Sequence, residues 1–247
     1  AFGYGALGGA STSSENKRNV AIGASSMSGT NAGASANIAI GYAALDGNLT
    51  SAADDNIAVG YSALGDITSG TRNTAIGTNA GLTSTDVDKT VLIGYNAGAG
   101  GNMDSDADGT IAIGEHAGYA LTTGSQNLAI GFQAMFTQTT GHSNVAIGYE
   151  SQKLANNNAA DGNVSVGNFT LDGFGDVAVH SLTAIGHSAL SGALTADAAG
   201  ATAVGRDALG TLTSGIGNTA VGLSALEDIT TGSYNTVVGH EAMQNAQ

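Results

Sequence analysis

A glycine returns along this chain every 17 to 20 residues: Gly3, Gly23, Gly41, Gly60, Gly77, Gly94, Gly114, Gly131, Gly148, Gly167, Gly186, Gly205, Gly222 and Gly239. The residues around it recur with it. NIAIGYAAL at 37–45, NIAVGYSAL at 56–64 and NTAVGLSAL at 218–226 are copies of one unit. A short fixed period of this kind marks a solenoid, in which each unit buries its apolar face against the next. Paired helices need a longer unit and few glycines, whereas Gly is 39 of the 247 residues here. The sequence therefore predicts an all-β chain, a parallel β-solenoid (β-roll) of about fourteen coils of 17–20 residues. It runs as a single continuous repeat domain over residues 1–247. Because Ala1-Phe2-Gly3 matches the middle of a unit, the chain is expected to be an excerpt of a longer protein.

Each column of the repeat has a physical reading. The residue before the glycine is Ile or Val in every complete copy, as at Ile22, Ile76, Ile147 and Val221. Two positions earlier stand Val20, Ile38, Thr74, Val145 or Thr236, and between the two lies a small residue such as Ala21, Ala75 or Ala203. Branched residues favour strands, and alternate residues share a face. Such a strand is apolar on both faces and is expected to be buried on both. One face should fill the lumen of the coil. The small face should admit a second backbone layer, either another strand of the coil or a neighbouring subunit, so that a trimer would place the Ala face between chains. The glycine is expected where the backbone takes an angle other residues resist, or where no Cβ fits. Asn opens most units (Asn19, Asn37, Asn56, Asn73, Asn127, Asn144, Asn218, Asn235) and is expected to stack into an Asn ladder. A weaker signature, such as Ile67 to Gly70 or Leu212 to Gly215, predicts a second short strand or extended segment before a Gly turn.

Charge narrows the partners. The net charge is −14, and the six basic residues, Lys17, Arg18, Arg72, Lys89, Lys153 and Arg206, are scattered. Nucleic acid and anionic lipid both need clustered Lys and Arg, so neither is an expected partner. No apolar run reaches the length of a membrane span, and Cys is absent, so neither disulfides nor thiolate metal sites enter.

The Asn-x-Ala-Ile-Gly-x-x-Ala core resembles the head repeats of YadA-like trimeric autotransporter adhesins. It is also similar to the repeat shafts of phage tail fibres, and the longer coil with its Thr-Thr-Gly segment favours those relatives. The resemblance covers essentially the whole chain. It implies a homotrimer of parallel β-rolls, outside the cell, on a cell surface or on a virion. The implied role is a structural or adhesive fibre whose partners are copies of itself and a cell-surface glycan or receptor.

Candidate sites are few. DSDADGTIAIGE at 104–115 matches an EF-hand loop as a string, with Asp104, Asp106 and Asp108 at alternate positions. Residues 110–113 belong to a repeat strand, so Glu115 is expected to lie too far along an extended chain to close the loop. Asp104, Asp106 and Asp108 remain candidate ligands for Ca²⁺, against a solvated acidic turn. Asp54 and Asp55, Asp86 and Asp88, and Glu227 and Asp228 are expected as solvated loops. The residue after the glycine is often aromatic (Tyr42, Tyr61, Tyr95, Phe132, Tyr149) with His187, Arg206 and His240 at the same phase. These side chains either pack over the coil corner or present a sugar-binding edge. No nucleophile elbow, P-loop or dinucleotide fingerprint occurs, so no enzyme is expected. Two alternatives stay open. One is a polysaccharide-cleaving tailspike using Asp161, Asp172 and Asp176. The other is an ice-binding solenoid, although its Thr column is interrupted by Val20, Ile38, Ile57 and Leu128.

Overall fold

A computed structural model describes residues 1–9, 18–154, 160–173, 178–195 and 198–245. The chain is an all-β parallel solenoid with thirteen three-residue strands among the described residues. It divides into two compact units. Unit 1, Ala1–Gln126, holds β1 (Val20–Ile22), β2 (Ile38–Ile40), β3 (Ile57–Val59), β4 (Thr74–Ile76), β5 (Val91–Ile93) and β6 (Ile111–Ile113). Unit 2, Asn127–Gln247, holds β7 (Leu128–Ile130), β8 (Val145–Ile147), β9 (Val164–Val166), β10 (Thr183–Ile185), β11 (Thr202–Val204), β12 (Thr219–Val221) and β13 (Thr236–Val238). The first repeat copy contributes only a bridge, Phe2 with Ile22, which is why the strand count is thirteen against fourteen glycines.

Within each unit every strand lies parallel to the next and in register, so each column stacks on itself. Ala21 faces Ala39, Ala39 faces Ala58 and Ala58 faces Ala75. In unit 2 Ala129 faces Ala146 and Ala203 faces Ala220. The Thr-rich segment does not become a regular second strand. It makes an isolated bridge, Asn31 with Leu49, and scattered coil-to-coil bonds such as Thr50 N–H to Thr68 O and Thr68 N–H to Thr85 O, both 2.7 Å.

The two strand faces are assigned opposite to a subunit-facing Ala layer. The central Ala of each strand has no exposed surface, as at Ala21, Ala39, Ala58, Ala146 and Ala203. The branched residues that flank it point outward and are exposed or half-exposed. A coil of 17 to 20 residues encloses a thin lumen, and Ala together with one or two large side chains per coil fills it. Those large side chains are Leu45, Leu64, Leu190, Leu209 and Leu226 from the turn, with Ile67, Leu121 and Leu212 from the following segment.

The turn after the strand explains the glycine. Gly41 and Gly60 have φ of 139° and 141°, and a Cβ on either would be driven into the carbonyl of the next motif glycine. Both reasons for glycine therefore hold at one position. Left-handed backbone then recurs two and four residues on, at Ala43 and Leu45 and at Ser62 and Leu64. For a leucine this conformation costs roughly 1–2 kcal/mol. It is held because the same geometry drives the side chain fully into the lumen.

The Asn ladder forms, by a geometry different from a local turn. Left-handed φ falls on the residue before the Asn, at Ala36, Asp55 and Arg72. The Asn side chain bonds between coils. Asn37 Oδ1 accepts from the N–H of Asn56 at 2.9 Å, and Asn56 Oδ1 accepts from the N–H of Asn73 at 3.0 Å. Each Nδ2 donates to a loop carbonyl, Asn37 to Ala53 O at 2.7 Å and Asn56 to Gly70 O at 2.8 Å. Unit 2 repeats the pattern through Asn127, Asn144 and Asn163. These amides are buried, so each satisfies backbone groups that water cannot reach.

Candidate functional site

Each unit presents an outward sheet face of branched side chains. In unit 1 it consists of two branched columns. Val20, Ile22 and Ile76 are each 41% exposed, and Ile40 and Ile57 are each 37% exposed. In unit 2 the column before the glycine stays Ile or Val, while the first column becomes Thr at Thr183, Thr202, Thr219 and Thr236. A contiguous apolar surface of this kind, on strands whose other face is already filled, marks a site of association.

The column after the glycine adjoins this face. Tyr42 and Tyr61, both 53% exposed, stack at 5.2 Å between centroids and 15° between planes. In unit 2 Phe132 and Tyr149 stack at 5.1 Å and 12°. Phe169 then meets Tyr149 edge-on at 5.3 Å, and His187 meets Phe169 at 5.6 Å. The rings pack on one another along the coil axis, as the packing expectation has it, and still leave surface open.

Charged groups gather beside the unit 2 rings. Lys153 Nζ pairs with Glu150 Oε1 at 3.1 Å. The Tyr149 phenol is pushed above its ordinary range, first by its hydrogen bond with Glu150. Burial pushes the half-buried Asp172 carboxyl upward, and the Glu150 charge adds to this, while a backbone hydrogen bond, Lys153 and His187 oppose it. Asp161 is elsewhere engaged, its Oδ1 accepting from the His142 N–H at 2.8 Å. Asp176 lies outside the described residues.

The acidic loop at 104–108 is a short 3-10 turn, Ser105–Ala107. Asp104 caps it, accepting from the Asp106 N–H at 2.9 Å. Asp108 Oδ1 accepts from the Asp88 N–H at 2.7 Å, and Asp88 Oδ1 in turn accepts from the Thr71 N–H at 2.6 Å. Asp104, Asp106 and Asp108 are therefore not gathered into one cage, and Glu115 lies beyond β6. No group of three His, Cys, Asp or Glu residues able to hold a metal ion occurs among the described residues. Asp54 follows the Asp88 pattern, its Oδ1 accepting from the Ser35 N–H at 2.6 Å. Asp54, Asp88 and Asp108 are stacking groups that close one coil on the next, so Asp54 and Asp88 are not merely solvated loop residues. The missed signal was their phase, since Asp54, Asp88 and Asp108 all fall two residues before a strand-opening Asn or Thr.

No helix among the described residues is long and apolar enough to cross a membrane. The chain matches no family model, no curated protein and no solved structure.

Proposed function

We propose that the chain is a segment of a homotrimeric extracellular fibre, an adhesin or tail-fibre shaft that meets a cell-surface glycan or receptor along its length. The observation that carries this reading is the outward Ile/Val face. It repeats coil after coil, its strands already have a filled lumen behind them, and it is exposed in the single chain. Identical coils present identical apolar columns, so a second copy of the chain is the partner that matches the repeat. The number three rests on the resemblance to trimeric adhesins. Fibre function also fits the acidity, which keeps assembled rods apart in solution. The open rings at Tyr42 with Tyr61 and at Phe132 with Tyr149 are the surface assigned to a sugar. An aromatic face takes the apolar side of a sugar ring, and Glu150 and Asn168 offer hydrogen-bonding groups beside it. Many weak contacts of this kind add by multivalency.

The test is native mass by light scattering. The expected mass is three times the 24.0 kDa of one chain. Ile40→Glu and Ile76→Glu place charge on the exposed column without entering the lumen, and they are expected to release monomers that keep the wild-type circular dichroism. A wild-type monomer would overturn the trimer. The same run with EDTA tests Ca²⁺ at Asp104, Asp106 and Asp108. A change in mass or Tm on chelation makes them ligands. An unchanged profile, expected because Asp104 and Asp108 already accept backbone N–H groups, leaves them as stacking groups.

A further inference from the structure

The lumen of unit 2 carries a polar layer that stability alone does not explain. Ser165 replaces the central Ala of β9, and Ser151 and Thr170 replace Ala in the turns after β8 and β9. All three are buried. Ser151 Oγ lies 2.7 Å from Ser165 Oγ and 2.9 Å from Thr170 Oγ1, both in the next coil. Ser165 Oγ donates to Val145 O at 3.1 Å, and Thr170 Oγ1 donates to Gly167 O at 2.8 Å. Two buried glutamines lie in the same run of coils. Gln152 stands in the column held elsewhere by Leu190 and Leu209, and Gln138 stands where other coils have Leu121 or Leu212. The Gln152 Oε1 and both amide atoms of Gln138 have no hydrogen-bond partner among the described residues.

A repeat chain faces a problem that these residues answer. If the coil of β8 stacked on that of β10, the backbone ladder would re-form, with Val145 against Thr183, Ala146 against Ala184 and Ile147 against Ile185. Asn144 would find the Leu182 N–H in place of the Asn163 N–H, and Gly148 would meet Gly186. The columns are the same in each coil and do not tell the two alignments apart. Ser151 does. Its two partners occupy positions that are Ala184 with Ala189, Ala203 with Ala208 and Ala220 with Ala225 in the coils that follow. In any of those alignments it loses both of its hydroxyl partners and is left with backbone carbonyls alone, as Ser26 is with Gly23 O. A layer that carries unpartnered amide atoms yet completes its hydroxyl-to-hydroxyl pairing in only one alignment selects structure rather than strengthening it.

We propose that Ser151, Ser165 and Thr170, with Gln138 and Gln152, form a register key that fixes which coil stacks on which in unit 2. The proposal is independent of the fibre reading, because it concerns the folding of a single chain. The test replaces the layer with the residues that other coils carry: Gln138→Leu, Ser151→Ala, Gln152→Leu, Ser165→Ala and Thr170→Ala in the full chain. The protein that has never been denatured is expected to give the wild-type amide spectrum and a higher Tm. After guanidinium unfolding and dilution, native yield is expected to fall about fivefold, as for loss of one buried partner. The remainder should appear as compact species with a second set of amide resonances from unit 2. A control, Ser26→Ala in unit 1, removes a hydroxyl that bonds only to Gly23 O of its own turn and is expected to refold with wild-type yield. Refolding of the five-fold variant at wild-type yield in one set of resonances overturns the proposal. So does failure of the variant to fold on expression, which would make the layer a stability element.

Discussion

β5 and β9 both replace the central Ala of their strand, and the molecule answers the two replacements in different ways. In β5 the newcomer is Leu92, fully buried. The turns around it give up their own large residue, so that Gly81, Gly98 and Gly118 stand where Leu45 and Leu64 stand in earlier coils. A Cβ on Gly81 would lie 2.8 Å from Leu92 Cδ1 and 2.9 Å from Leu64 Cδ2. One on Gly98 would lie 2.8 Å from Met103 Cε and 3.1 Å from Leu92 Cδ2. Bulk has moved from the turn to the strand. In β9 the newcomer is Ser165, and the answer is polar: Ser151 and Thr170 in the adjoining turns supply hydrogen bonds. The lumen thus tolerates either exchange when neighbouring coils change with it, and the unit of design is a patch of two or three coils rather than one repeat.

The most disruptive way to break the comparison is Leu92→Ala. Deleting a buried Leu side chain costs about 2–5 kcal/mol, and the glycines around it offer nothing to refill the space. Gly98→Leu alone overpacks against Leu92 and Met103 and is expected to cost about 1–3 kcal/mol. Together the two changes restore the Ala-and-Leu arrangement of other coils. Their sum should therefore overestimate the loss, with a coupling of about 0.5–3 kcal/mol in chemical denaturation. Additive losses would mean that Leu92 and the glycines arose independently. A comparable effect is expected on the side of β9. Asn144→Ala leaves the Asn163 N–H and the Ala160 carbonyl buried without their partner, at about 1–3 kcal/mol each. Amide exchange at Asn163 should speed up before that of the flanking coils. Unchanged exchange there would show that water reaches the ladder.

How much of this was legible follows from which contacts repeat. The glycine and Asn columns were readable, because a backbone angle and a buried amide impose the same residue in coil after coil. Gly41 and Asn56 show it. The lumen assignment was not readable from a strand that is apolar on both faces. Ala39 and Ile40 are equally compatible with burial, and only the thinness of the closed coil decides that Ala turns inward. The signal lay in the turn, where Leu45 and Leu64 already supply the bulk the lumen can hold. The exchange of Leu92 with Gly81 and Gly98 was present as three column exceptions, but their adjacency needs the coil-to-coil register. The loop carboxylates and the 104–108 segment were hardest. A carboxylate that accepts a backbone N–H from the neighbouring coil looks, as a string, the same as one awaiting a cation.

The gentlest probe of the β9 side is a single proton. Asp172 sits in the turn that follows Thr170, and burial raises its carboxyl above the ordinary value of 3.8. The folded chain therefore binds this proton more tightly than the unfolded chain. The stabilisation from that bound proton is fully present below the unfolded value and is lost as pH rises through the folded one. At neutral pH Asp172 is an ionised group held partly out of water with Glu150 nearby, and it weakens the coil. Asp172→Asn should accordingly raise Tm at pH 7, and the gain should shrink as pH falls and vanish well below the unfolded value of about 3.9, where both states of the wild type are protonated. Melting curves of the two proteins from acid to neutral pH decide it. A variant less stable than wild type at pH 7 would show that the pairing of Asp172 with Lys153 and His187 outweighs its burial, and that the charged groups beside the aromatic column hold this part of unit 2 together.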